Sequence, residues 1–157
     1  MSDEIPNFGV LLAPFIGQVG AELRPRFLAL LERGAADRYR YWAELLPEQA
    51  DCLLACACRE DEIADRVERV FAVAEADVPA LNAPLAEARA TYYRVFDGLD
   101  AWQQLRIQAN AERQGANAWR SIAAYVADSH IVDELAACSA LEEHSAGELD
   151  ALLRARG

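Results

Sequence analysis

Two stretches of this 157-residue chain match two others, in the same order and at nearly the same offset. Residues 31–43 (LERGAADRYRYWA) lie over 111–123 (AERQGANAWRSIA) without a gap. Glu32 then meets Glu112, Arg33 meets Arg113, Tyr39 meets Trp119 and Arg40 meets Arg120. Residues 56–71 lie over 138–153 in the same way, so that Cys56 meets Cys138, Glu60 meets Glu142, Asp61 meets Glu143 and Val67 meets Leu149. The offsets are 80 residues (32 to 112) and 82 residues (60 to 142). Apolar residues in these stretches recur at helical spacing, and strand-like alternation is nearly absent. The expectation is a helix pair made twice, over 25–74 and 99–154, in a single domain spanning 1–157. A lone helix pair exposes an apolar face, and two related by a pseudo-twofold axis can bury both.

The boundaries follow from punctuation. Pro25 suits a helix first turn and Pro47 stops that helix, whose apolar stripe is Leu28, Leu31, Ala35, Tyr39 and Trp42. The second helix is expected over about 48–74, with Leu53, Cys56, Glu60, Ile63, Val67 and Phe71 on its inner face. Pro79 and Pro84 break helix, and a short helix is expected over 85–96. The third main helix covers about 99–126, with Leu105, Gln108, Glu112, Ala116, Trp119 and Ala123 inward. Asp128 or Ser129 caps the fourth, which runs to about Arg154. The apolar segment 8–23 reads as a further short helix. The connection between the second and third main helices is the long one, which fits two hairpins joined by a crossover.

Composition narrows the function classes. The net charge is −11, which disfavours phosphate backbones and anionic membrane surfaces as partners. The 15 basic residues are all arginine, so neither a Schiff-base lysine nor a P-loop lysine is available. Residues 1–9 lack the pattern of a secretory leader. With no apolar run of spanning length, a cytoplasmic protein with reduced thiols is expected.

The repeat singles out one glutamate near the middle of each main helix: Glu32, Glu60, Glu112 and Glu142. Glu60 and Glu142 sit inside apolar stripes, where a charge costs free energy unless paired, protonated or ligated. In this respect the chain resembles the ferritin-like di-iron carboxylate proteins, including the rubrerythrin-like members. Their ligand set is one inward Glu on each of two helices and Glu-x-x-His on each of the other two. The resemblance covers about residues 25–154 and implies an all-α, ferritin-like four-helix bundle with a long crossover between helices 2 and 3. Glu32 and Glu112 match the lone glutamates, Glu60 and Glu142 the glutamates of Glu-x-x-His, and Tyr39 a tyrosine frequent two turns after the first. The two histidine positions hold Ile63 and Ser145. Neither real histidine replaces them: His144 is about 200° around the helix from Glu142, and His130 lies three turns earlier.

Three states of the cluster stay open. Carboxylates alone bind a hard cation such as Mn²⁺, Mg²⁺ or Ca²⁺; or they share protons; or Arg59, Arg40 and Arg120 cross to pair with them. The leading expectation is a non-catalytic bundle with a degenerate carboxylate site and no cofactor. The alternative is a di-metal carboxylate oxidoreductase or metal-binding protein holding Mn, Fe or Mg, with Glu60 and Glu142 bridging and Glu32 and Glu112 terminal. A second alternative is a thiol redox protein using Cys56 and Cys138. Cys52, Cys56 and Cys58 lack zinc-finger spacing and read as apolar filler. Trp42, Trp102, Trp119, Tyr39, Tyr41 and Tyr125 read as core packing. Asp61, Glu62, Asp65 and Glu68 with Arg59, Arg66 and Arg69 read as a salt-bridged outer face. The resemblance allows a homodimer.

Overall fold

A computed structural model describes residues 5–157, and among these every regular element is helical. The helices are α1 (Phe8–Ile16), α2 (Arg24–Leu45), α3 (Ala50–Val70), α4 (Val78–Asn82), α5 (Leu85–Arg94), α6 (Ala101–Ala123) and α7 (Ser129–Arg156). Short 3₁₀ turns at Ala21–Leu23, Pro47–Gln49 and Glu75–Asp77 link them. No helix among the described residues is long and apolar enough to cross a membrane. The leader expectation rests partly on residues 1–4, which lie outside the described residues.

The long helices begin and end where local chemistry dictates. Pro25 occupies the first turn of α2, where its missing N–H has no intrahelical partner to lose. Asp100 and Gln103 close a capping box on α6, and the Asp128 carboxylate accepts from the backbone N–H groups of His130 and Ile131 at the start of α7. Helix α3 stops at Val70, short of the expected 74, because Phe71 turns extended and its carbonyl accepts from Arg26 Nη1 at 2.9 Å. Between Pro79 and Pro84 the chain forms the single turn of α4 instead of staying irregular: Pro79 sits at its start, where proline is tolerated.

Helices α2 and α3 pack along their length, as do α6 and α7, and α3 packs on α7. Cross-contacts fix the α3–α7 seam as antiparallel: Cys52 meets Glu148, Arg59 meets Ser145, and Arg66 meets Glu134. Helices α2 and α6, by contrast, barely touch. Helices α1 and α5 cover that open side. Phe8 N–H donates to Gln114 Oε1 on α6 at 2.8 Å, and Gln114 Nε2 donates to the Pro6 carbonyl at 2.8 Å. Arg89 Nη2 and the Tyr93 hydroxyl of α5 donate to the α2 carbonyls of Leu30 and Gly34, at 2.8 and 2.9 Å.

Two apolar clusters fill the interior along the long helices. One gathers Tyr39, Trp42, Leu53, Cys56, Phe96, Leu105 and Leu149, and the other Ala29, Ile63, Val67, Trp119, Leu135 and Cys138. Burial of a large aliphatic or aromatic side chain is worth roughly 1.5–3 kcal/mol, so these clusters supply most of the cohesion. A third cluster, around Phe27, Val19 and Leu81, fastens the covering segments. Phe27 is fully buried there, off the expected stripe, while Leu28 and Leu31 are only half-buried. The aromatics divide: Tyr39, Trp42 and Trp119 are core, whereas Tyr41 is 43% and Tyr125 93% exposed, against the expectation of core packing.

The ion pairs between helices occur at matched positions in the two halves. Arg40 pairs with Asp37 and Asp61, and Arg120 with Glu143 while also donating to Asn117. Arg33 reaches Glu68, and Arg113 reaches Asp150.

Candidate functional site: four buried carboxyls beside an apolar cavity

Glu32, Glu60, Glu112 and Glu142 converge between the two main apolar clusters. Glu60, Glu112 and Glu142 are almost completely buried, at 1%, 1% and 2% exposure, and Glu32 is half-buried against a cavity. One carboxylate oxygen from each of Glu32, Glu60 and Glu142 lies within 4.8 Å of the others. Glu112 faces the same centre from α6, close enough to act on Glu32, Glu60 and Glu142 electrostatically.

The arginines do not come. Arg40 and Arg120 turn outward to Asp61 and Glu143, and Arg59 donates to Ser145 Oγ at 2.8 Å and pairs with Glu148. Arg40 and Arg120 point outward and Arg59 is engaged along the α3–α7 seam, so of the three open states the one in which these arginines pair with the cluster does not hold. Among the described residues, both Glu60 oxygens, Glu112 Oε2 and Glu142 Oε1 are buried without a hydrogen-bond partner. A buried polar group left unpartnered costs about 1–3 kcal/mol, more when charged. Burial, reinforced by the neighbouring carboxyls, holds Glu60 and Glu142 well above the usual carboxylate range. Glu32 is also raised, chiefly by burial.

One corner of the cluster is organised. Glu112 Oε1 accepts the Tyr39 hydroxyl at 2.5 Å and Gln108 Nε2 at 3.0 Å. Gln108 Oε1 accepts the Tyr92 hydroxyl at 2.5 Å. This relay runs from α5 through α6 to α2 and fixes one oxygen of Glu112 while leaving the other free. Gly115, one turn after Glu112 on α6, makes room for Glu142: a Cβ there would lie 2.8 Å from Glu142 Cδ. A glycine in mid-helix weakens the helix by about 1 kcal/mol relative to alanine, and here it leaves space for a carboxyl.

The cavity has a volume of about 230 Å³ and reaches the surface between α1, α2, α5 and α6. Phe8, Leu12, Ile16, Leu28 and Leu31 form its apolar walls, and all four glutamates stand at its floor. Gly9 and Ala118 are exposed at its rim.

Positions 63 and 145, three residues after Glu60 and Glu142, add no ligand. Ile63 is packed in the second apolar cluster, and Ser145 Oγ accepts from Arg59. His144 faces outward, as its spacing requires, with a side chain 59% exposed. Cys56 and Cys138, both free thiols, lie on opposite sides of the carboxyl layer. Each precedes its glutamate by one turn on antiparallel helices. Cys56 stands level with Ser145, seven residues from Cys138, which is roughly 10 Å along the axis. A disulfide needs Cα atoms within about 7 Å. Burial also pushes the Cys138 thiol up to about 12 and raises Cys56, which leaves little nucleophilic thiolate near neutral pH.

No protein-family model matches the chain, and no curated protein or solved structure compared with it matches either.

Proposed function

We propose that the protein is a ferritin-like four-helix bundle, two duplicated hairpins joined by a crossover, whose Glu32, Glu60, Glu112 and Glu142 hold divalent metal through carboxylates alone. The observation that carries this reading is the set of buried carboxylate oxygens with no hydrogen-bond partner at the floor of an accessible cavity. Support for the bundle comes from the short links 46–49 and 124–128 set against the long 71–100 segment, and from the matched ion pairs of the two halves. An all-oxygen donor set without imidazole favours hard cations of the Mn²⁺, Mg²⁺ or Fe²⁺ kind over softer ones.

The chain's own residues would divide the work. Glu60 and Glu142, opposite each other across the α3–α7 seam, would bridge; Glu32 and Glu112 would be terminal. Tyr39 and Gln108 hold Glu112 in one orientation, and the apolar walls keep bulk water from the carboxyls. A bound cation would supply Lewis-acid or redox chemistry to a small molecule in the cavity.

A second reading follows from the raised Glu60 and Glu142: carboxyls sharing protons under an apolar ligand pocket, with no metal and no catalysis. Elemental analysis of freshly purified protein, with melting curves in Mn²⁺, Fe²⁺ and Mg²⁺, separates the two. The metal reading expects near-stoichiometric metal and a stabilisation of about 2.7 kcal/mol at a hundredfold excess over Kd, both lost in Glu60→Gln with Glu142→Gln. Substoichiometric metal and unshifted melting curves would leave only the second.

A further inference from the structure

A different cluster lies one to two turns from the carboxyls, where the N-terminal half of α3 meets the C-terminal half of α7. Cys52 and Cys56 are four residues apart on one face of α3, and His144 and Glu148 four apart on one face of α7. At this spacing side chains on a helix are neighbours. Cys52 Sγ is 3.5 Å and Cys56 Sγ 4.0 Å from Glu148 Oε2. The three donors lie within 4.8 Å of one another, and His144 Nε2 is 3.2 Å from Glu148 Oε1. In a tetrahedral zinc site the bond lengths require S···O edges of about 3.6 Å, an S···S edge of about 3.8 Å and an N···O edge of about 3.4 Å. The two thiols and the Glu148 carboxylate therefore already stand near the separations such an ion imposes, and His144, held on the outer carboxylate oxygen, would swing inward to complete the set.

We propose that Cys52, Cys56, His144 and Glu148 form a second metal site, distinct from the carboxylate cluster, that takes a thiophilic divalent cation of the zinc class. Two thiolates, one imidazole and one carboxylate make a donor set softer than the all-carboxylate cluster, so the two sites select different ions. Binding removes one proton from each thiol, and both protons pass to solvent. The site is reachable, since His144 is exposed and Cys52 and Glu148 are half-buried. Arg59 supplies the competing positive charge: its guanidinium pairs with Glu148 and stands 3.4 Å from Cys56 Sγ. A cation displaces that Nη2 group, while the Arg59 Nε bond to Ser145 lies outside the donor set.

The test uses the full chain carrying Glu60→Gln and Glu142→Gln, so that success or failure of the carboxylate site has no bearing on it. Titration with Co²⁺, followed by displacement with Zn²⁺, should give one-to-one binding and thiolate-to-metal charge-transfer absorption. Cys52→Ser and Cys56→Ser should each weaken binding by more than the ~10–100-fold that loss of an outer-shell partner costs. Cobalt absorption without charge transfer, or unchanged affinity in either serine variant, would overturn the proposal. A measurement on the unsubstituted chain guards against misfolding: Zn²⁺ should slow alkylation of Cys52 and leave the exposed Cys58 unaffected, read by mass spectrometry. Equal rates with and without zinc would overturn it too.

Discussion

The two ends of the α3–α7 seam share one register and carry opposite charge logic. Under the offset of 82, Cys52 corresponds to Glu134, Cys56 to Cys138, His144 to Glu62 and Glu148 to Arg66. At one end the central group is the cation Arg66, held by Glu134 at 3.0 Å and by Glu62 at 3.4 Å. At the other the central group is the anion Glu148, held by Arg59, His144 and two thiols. A cation between two carboxylates is complete. An anion paired with one arginine and flanked by two thiols and an imidazole has metal donors to spare once that arginine is displaced, and that is what makes a metal site there reasonable. Equivalent backbone positions thus supply scaffolding at one end and chemistry at the other.

The comparison can be broken first where it predicts sameness. Leu53 and Leu135 correspond and are both fully buried. Leu53→Ala and Leu135→Ala should each cost about 2.7–5 kcal/mol in chemical denaturation. If one were nearly free, the two ends would not be mechanically equivalent.

The next effect is pH-dependent and belongs to the layer between the ends. Glu60 and Glu142 are raised above the ordinary 4.5, so the folded state binds more protons than the unfolded one above that pH, and stability falls as pH rises. Without divalent ions, Glu60→Gln with Glu142→Gln should match the wild type near pH 4.5 and exceed it increasingly towards pH 7. The gain should be on the order of the 1–3 kcal/mol that unpartnered buried groups cost. Glu148 is shifted the other way but is common to both proteins and cancels. A flat difference across that range would mean that the carboxyls are solvated.

Smaller again is the loss at the closed end. Arg66→Met strands Glu134 and Glu62, and because these side chains are 21% and 47% exposed the cost should be near 1 kcal/mol and fall with salt. At the open end, Arg59→Met should instead tighten zinc binding by removing its competitor, which calorimetry would read. The smallest change is expected from exchange: Cys52→Glu with Glu148→Arg reproduces the Glu134–Arg66 pair at the thiol end. Stability should stay within about 1 kcal/mol while zinc binding disappears. Retained zinc binding would locate the site elsewhere.

Much of this was legible in the residues. The helices and the glutamate convergence follow from periodicity and self-similarity, because inward positions on a helix are set by spacing alone. Arginine pairing, one of the three states the sequence left open, fails because Arg40 and Arg120 leave their helices on other faces and Arg59 is taken up by Ser145 and Glu148. The thiol cluster escaped because it spans two helices. C-x-x-x-C at 52–56 and H-x-x-x-E at 144–148 were each visible, but only the antiparallel register joins them, and the repeat offset was the available clue to that register. The cavity was not legible at all. It depends on how α1 and α5 lie over α2 and α6, and neither belongs to a matched stretch.

That covering has a directional consequence. The matched halves surround the four carboxyls almost evenly, but α1 and α5 stand on one flank, and the seam of α3 with α7 shuts the other. Whatever enters must come from the side of α2 and α6. A guest with two distinguishable ends would therefore turn the same one toward the glutamates each time, whereas entry from both flanks would admit either orientation.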